Sequence, residues 1–342
     1  MRVLVTGGCG FIGSHTCLYY AQKGDKVVSF DNMTKAELMR TGYATEEARM
    51  YNWDLLKSRG VELTKGDIRD YERLLEAARG CDFIVHTAAQ PAMTISWEDP
   101  DLDFSTNVLG TFNVLKAARE YKIPVVSCST IHVYGTGINE GLKEGKTRYL
   151  RDPVEIDEKQ SIMTGTLTPL HASKRSAEIY LQTFIDTYGL SAASFRLTGM
   201  YGPNQFGGED HGWVANFAIR AILDQPINIF GTGKQVRDIL YARDAVLAFD
   251  AFYKNQKPGI YNIGGSSRTA ISLVECVEML KEILGKEIKV NFAADRKGDL
   301  RYFICDTKKA QRDLGWQAEV LPKEGITELA NWIKNNINLF KK

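Results

Sequence analysis

The sequence predicts an α/β protein: a Rossmann-type doubly wound parallel sheet followed by a smaller C-terminal α/β unit. Three observations predict it. Residues 2–6, RVLVT, read as a strand apolar on both faces, as the centre of a parallel sheet requires. Gly7, Gly10 and Gly13 follow in the spacing GxxGxxG and run straight into a largely apolar helical stretch. Strand and helix patterns then alternate through the first half of the chain, as βαβ units do.

The glycines answer separate needs: a tight turn, close approach of the backbone to a pyrophosphate, and close packing of helix on strand. The helix that follows turns free N–H groups and a positive dipole end toward the phosphates. Residues 26–30, KVVSF, read as the second strand and end in Asp31, eighteen positions after Gly13. A carboxylate there accepts the ribose 2′ hydroxyl and repels a 2′-phosphate, which favours NAD over NADP. Residues 33–60 are polar and helical, longer than a simple crossover. A third strand leads to KGDI, where Asp67 is expected to reach the adenine.

Residues 83–86, FIVH, form the next strand and run into TAAQPAM, a small-residue loop at a strand's carboxyl end, where such sheets bind ligands. Phe104, Val108, Phe112, Leu115 and Ala118 give 103–120 a helical period that includes Asn107. Residues 124–129 are the fifth strand, followed by TIHVYG. The polar, glycine- and charge-rich stretch 135–168 has little periodicity and reads as an active-site insertion or lid. Pro169 opens a long helix to Tyr188, since proline suits a first turn, and 191–197 return as a strand. Beyond it the alternation loosens into strand candidates at 227–230, 235–240 and 259–262 and helices at 273–284, 308–314 and 325–336. The expected division is 1–197 with 236–264 in the dinucleotide-binding domain, and 198–235 with 265–342 in the second.

The 342 residues can bury a large core, and 44% apolar with 25% charged residues is an ordinary soluble composition. A net charge of +1 gives no reason to expect nucleic acid or a membrane surface as partner. No stretch approaches the length of a membrane span, and the chain opens on a strand rather than a signal peptide. Six cysteines are scattered without a CxxC pair, which suits reduced thiols in a cytoplasm and argues against a metal site.

Along almost its whole length the chain resembles the extended short-chain dehydrogenase/reductase family, the nucleotide-sugar epimerases and dehydratases. The resemblance rests on TGGCGFIG, Asp31-Asn32, GDI, HTAA, NVLGT, STIHVYG, a helix with SK, RLTGMYGP, VRDILYARD, YNIGG and DTKKAQRDLGW. Within the family the nearest likeness is to the CDP-tyvelose (CDP-paratose) 2-epimerases, through AAQPAMTIS, NQFGGEDHGWV and GKQVRDIL. It implies a protein-held NAD that takes a hydride from a sugar carbon and returns it, and a homodimer through the helices starting near Asp103 and Pro169. The cofactor contacts it implies are Gly7, Gly10, Phe11, Ile12, Gly13, Asp31, Asn32, Asp67, Ile68, Ala88, Ala89, Gln90, Asn107 and Lys174. Those for the nucleotide-sugar are Gln90, Met93, Thr130, His132, Gln205, His211, Arg237 and Arg301. A guanidinium fork suits diphosphate oxygens.

Hydride transfer from a carbinol needs a base for the hydroxyl proton, a donor for the developing oxyanion and a cation to keep the base ready. The resemblance makes Thr130 the donor and Lys174 the cation. The family's base is a tyrosine four residues before the lysine, on one helix face; here that position is Leu170, in PLHASK. Three readings follow. His171, three before Lys174, replaces it; another group such as His132 or His211 serves; or the protein binds its ligands without turning them over. The expected activity is inversion at carbon 2 of a CDP- or related NDP-hexose. The alternatives are 4-epimerase or dehydratase chemistry, or a silent NAD- and nucleotide-sugar-binding regulator. Ile131 and His132 after Thr130, where the family's dehydratases carry an Asp-Glu pair, count against dehydration.

Overall fold

A computed structural model describes residues 1–35, 38–43 and 45–341. Seven parallel strands form its main sheet: β1 (Arg2–Thr6), β2 (Lys26–Asp31), β3 (Glu62–Lys65), β4 (Phe83–His86), β5 (Val125–Thr130), β6 (Ala192–Leu197) and β7 (Gly259–Ile263). Their order is β3-β2-β1-β4-β5-β6-β7, with Val3 opposite both Val27 and Phe83. The central strands are apolar on both sides because both are covered. Val3 and Val5 face a cluster with Phe83, Phe195 and Phe249, while Leu4 faces one with Phe30, Ile84 and Val125.

The order reverses between β1 and β4. That leaves a crevice outside their carboxyl ends, between the glycine loop and the loop after β4. Helix α1 (Phe11–Gln22) can lie against β1 only because Gly13 has no side chain: a Cβ there would sit 2.1 Å from the Gly7 carbonyl oxygen. Gly7 itself has φ +70°, open to glycine at little cost, and its Cβ would press within 2.6 Å of the Ala88 nitrogen. Helices α2 (Glu46–Ser58), α3 (Tyr71–Ala78), α4 (Thr111–Tyr121), α5 (Pro169–Tyr188), α6 (Trp213–Ile222) and α7 (Ala242–Asn255) follow in order. The π-wound turn Ser105–Gly110 leads into α4.

Two smaller sheets stand over the crevice. One pairs Ile227–Phe230 with Val290–Ala293; the other centres on Val236–Tyr241, flanked by Gly199–Tyr201, Ala270–Ser272 and Tyr302–Phe303. Strand 236–241 therefore groups with the second unit, and the return to the main sheet begins at α7, not at 236. Ala310, Leu314 and Trp316 in turn join the main-sheet core beside Phe249 and Phe252.

The stretch 135–168 is not a lid. It carries a two-stranded ribbon, Lys143–Glu144 with Tyr149–Leu150, and buries Ile138, Tyr149 and Ile156 against Tyr302, Phe303 and Cys305. None of its residues lines the cleft. Its apolar anchors are too irregularly spaced to show as a period.

Candidate active site

A cleft of about 710 Å³ runs from the glycine loop, past the ends of β4 and β5, to the small sheets. On the β1–β2 side it is lined by Gly7, Gly10, Phe11, Ile12, Gly13, Asp31 and Asn32, with Ile68, Ala88 and Ala89 beyond. Asp31 accepts from the backbone N–H of Cys9 (2.9 Å) and of Met33 (2.8 Å), so its carboxylate is fixed at the rim of the glycine turn. Asp67 is not on the wall. Burial alone would raise its pKa, but the Arg69 fork and the Asn32 amide hold it down to about 2. Only its neighbours Gly66, Ile68 and Arg69 face the cleft.

Gln90 and Asn107 brace this wall. Asn107 accepts from the Gln90 N–H (2.9 Å) and donates to its carbonyl (3.0 Å), to Asp103 (3.0 Å) and to Ser173 (3.2 Å). The Gln90 amide gives its N–H to Asp103 and takes that of Ala92, so both its ends are engaged within the protein. Asn107 lies behind the wall, off the cleft.

At the end of β5, Thr130, Ile131 and His132 face the cleft, as does Leu170 from α5. The Thr130 hydroxyl oxygen accepts from the His132 N–H at 3.2 Å. Leu170, Lys174 and Glu178 share one helix face at i, i+4 and i+8. Lys174 lies off the cleft, half-buried; its ammonium donates to the Cys128 carbonyl (3.1 Å). Burial lowers its pKa, and Cys128, Asp103 and Glu178 oppose the shift.

His171 does not reach the cleft. It is fully buried, and its Nδ1 accepts from the Thr168 N–H (3.1 Å) in a capping box at the start of α5. That bond puts the proton of the neutral ring on Nε2, so His171 offers no free acceptor to a substrate. Its ring meets that of His132 edge-on, with centroids 5.5 Å apart. Of the two, His132 is the cleft residue, and its Nδ1 is buried without a protein partner.

On the far wall stand Met93, Gln205, His211 and Arg237. Arg301 does not join them: it is half-exposed and paired with Asp295 at 2.7 Å. Arg296 takes the place expected for it, lining the cleft over the Phe230 ring and ion-paired to Asp210 at 3.6 Å. Two arginines lie five apart in one loop, and spacing could not choose between them. Trp213 and Gln235 also line the cleft from within NQFGGEDHGWV and GKQVRDIL without having been singled out, and Asn52 lines it with no motif to mark it.

Burial makes the folded state acid-sensitive. It holds His86 and His132 down to about 3 and His171 to about 4, against 6.5 in the open chain. Between those values the unfolded chain binds protons that the folded one does not. The stability is therefore complete above pH 6.5 and is lost as pH falls, by up to about 1.4 kcal/mol per pH unit for each histidine. Asp238, raised to about 6 by burial, works in the opposite direction, as do Asp103, Glu158 and Asp244, whose carboxyls burial also raises, and together they blunt the loss. The urea midpoint should fall between pH 7 and pH 5; a flat profile would mean that these rings are solvated and charged in the folded protein.

The family profile described as NAD dependent epimerase/dehydratase matches residues 3–264. The chain is 34% identical over 348 positions to the CDP-paratose 2-epimerase of Salmonella typhi, covering 97% of this chain and 99% of that protein. It is 31% identical over 336 positions to a putative UDP-glucose 4-epimerase of Methanocaldococcus jannaschii, covering 98% and 99%. Among solved structures, UDP-glucose 4-epimerase of Thermotoga maritima with UDP-glucose superposes with a TM-score of 0.81 at 28% identity, covering 98% of this chain and all of that one. The Thermus thermophilus UDP-glucose 4-epimerase complex with NAD gives 0.79 at 31% identity, covering 98% and 99%.

Proposed function

The chain belongs to the NAD-dependent epimerase/dehydratase family, and from that premise we propose that it inverts carbon 2 of a CDP- or related NDP-hexose. One observation carries the reading: a single continuous cleft joins the glycine loop, Thr130 with His132, and Arg237 with Arg296. The 2-epimerase relative supports carbon 2 over carbon 4.

NAD is the cofactor, and the glycine cradle with Asp31 fits it; bound there, it supplies a hydride acceptor that can return what it takes. Thr130 donates a hydrogen bond to the sugar oxygen, which gains negative charge as its proton is removed and becomes a carbonyl oxygen as the hydride leaves the carbon. His132 accepts the hydroxyl proton, the task left open by Leu170. Lys174, behind the wall on the Cys128 carbonyl, adds positive charge beneath the Thr130 end of the cleft, and Arg237 and Arg296 hold the diphosphate as paired forks. A diphosphate against Arg237 also cancels a cation that, with burial, keeps His132 a weak base. The ring thus gains basicity when the site fills.

A second reading, a ligand-binding protein without turnover, is favoured by Leu170, whose side chain meets the cleft where a phenol is expected. Proton NMR after incubation with CDP-, GDP- and UDP-glucose separates the two. The expected result is gluco-to-manno conversion without added cofactor; nucleotide binding with no product in any of the three would overturn the epimerase reading. The same sample should scatter light as a dimer. We place its contact on the exposed Phe104, Leu109, Ile179 and Tyr180 of the helices before α4 and in α5. The cysteines, all unpaired, support a reducing cytoplasmic setting, and among the described residues no helix is long and apolar enough to cross a membrane.

A further inference from the structure

The carbonyls of two consecutive residues at the head of the substrate loop, Pro203 and Asn204, are both held by the cofactor side of the molecule. The His15 ring, on α1, bonds the Pro203 oxygen at 2.7 Å through its Nε2. Asn52, on α2, donates from one buried amide to the carbonyls of Cys9 (3.1 Å) and Gly10 (3.5 Å) in the glycine loop and of Asn204 (3.4 Å). Three carbonyls around that nitrogen fix which end of the amide faces them, since each needs a donor. The other end, Oδ1, is buried without a protein partner, although the residue lines the cleft. Asn204 holds φ +64°, in the left-handed region that asparagine adopts more readily than most side chains. From this head the loop runs on to Gln205 and His211 on the substrate wall.

We propose that Asn52 is a positioning residue that couples the two ligand sites. A hydrogen-bond donor of the bound dinucleotide completes the amide at Oδ1. That fixes the side chain, and through the Asn204 carbonyl it fixes the loop that receives the nucleotide-sugar. The inference rests on the nucleotide-sugar reading of the far wall. Coupling is reciprocal, so each ligand tightens the other by the same factor.

The test is the affinity for NAD of the full-length protein, read from NAD release on dilution of the NAD-loaded protein, with and without saturating CDP or UDP, together with calorimetric titration of the same nucleotides. In the parent protein the nucleotide is expected to tighten NAD by at least about fivefold, the low end of typical coupling. Asn52→Asp keeps the shape but loses the donor, and should bring the ratio within about twofold of unity. Asn52→Leu should do the same, and Thr45→Ser, at the N-cap of α2, should leave it unchanged. If both Asn52 variants unfold, a parent ratio near unity still decides against the proposal. Nucleotide binding with the same ratio in parent and Asn52→Asp overturns the coupling alone. No nucleotide binding by calorimetry overturns the nucleotide-sugar reading, and the proposal with it.

Discussion

Replacing His132 by glutamine is expected to lower kcat by about 10²- to 10⁴-fold, the usual worth of a positioned general base, with nucleotide affinity within a few-fold of the parent. Glutamine fills similar space and keeps a polar end but takes up no proton. Among the groups around Thr130, His132 is the one left to take the proton. Leu170 has no ionisable group, His171 has committed its Nδ1 to the Thr168 N–H, and Lys174 lies behind the wall on the Cys128 carbonyl. His132 sits two residues from Thr130, beside the expected oxyanion, with an unpartnered ring nitrogen. The informative control is Leu170→Tyr in the His132→Gln background. A phenol four residues before Lys174 on the same helix face should restore turnover, because the missing function is then only proton acceptance. A His132→Gln enzyme with more than half the parent kcat would mean that the base lies elsewhere; His211, on the far wall, is then next.

Much of the fold was legible because each strand of the main sheet carries a local signal. RVLVT and FIVH are apolar on both faces, and these two strands lie at the residues expected from sequence. The glycine loop was legible for the same reason: its chemistry and its packing both require residues close in sequence. What escaped depends on how side chains fold back in space, or on partners distant in sequence. Asp67 looked like an adenine ligand until Arg69, two residues on, folded back to pair with it. Arg301 and Arg296 differ only in which way one loop turns them. Strand 236–241 reads like any other strand, and only its partners at 199–201, 270–272 and 302–303 assign it to the smaller unit. Asn52 sits mid-helix among ordinary polar residues, and its importance comes from carbonyls 42 and 152 positions away.

Glu178→Leu should destabilise the protein by roughly 3–5 kcal/mol, the cost of leaving a buried charge without its partner. The residue was not foreseen, although SAASFRL held a clue: an arginine within a strand buried on both sides must find a counter-charge. The structure supplies it as a fork. Arg196 donates Nε to one Glu178 oxygen and Nη2 to the other, both at 2.9 Å, with both side chains almost wholly shielded from water. Ser129 donates to the same carboxylate at 2.7 Å, and Arg196 also reaches the Tyr134 hydroxyl at 3.0 Å. Glu178 thereby pins α5 to β5 and β6 immediately beneath Thr130. The helix face that presents Leu170 and Lys174 takes its register from this contact. The pair contributes specificity of placement more than net stability, since burying two charges offsets much of their attraction. Glu178→Leu combined with Arg196→Met should therefore recover most of the lost stability in urea, because no fully buried charge is left alone; Arg175, which also pairs with Glu178 at 3.0 Å, is partly exposed and keeps its water. It should not recover turnover, because the carboxylate that sets the register of α5 against Ser129, on the strand that carries Thr130, is gone. A single variant that loses less than about 1 kcal/mol, the worth of an exposed pair, would show the site to be hydrated. A double variant with parent kcat would show that the register is set elsewhere.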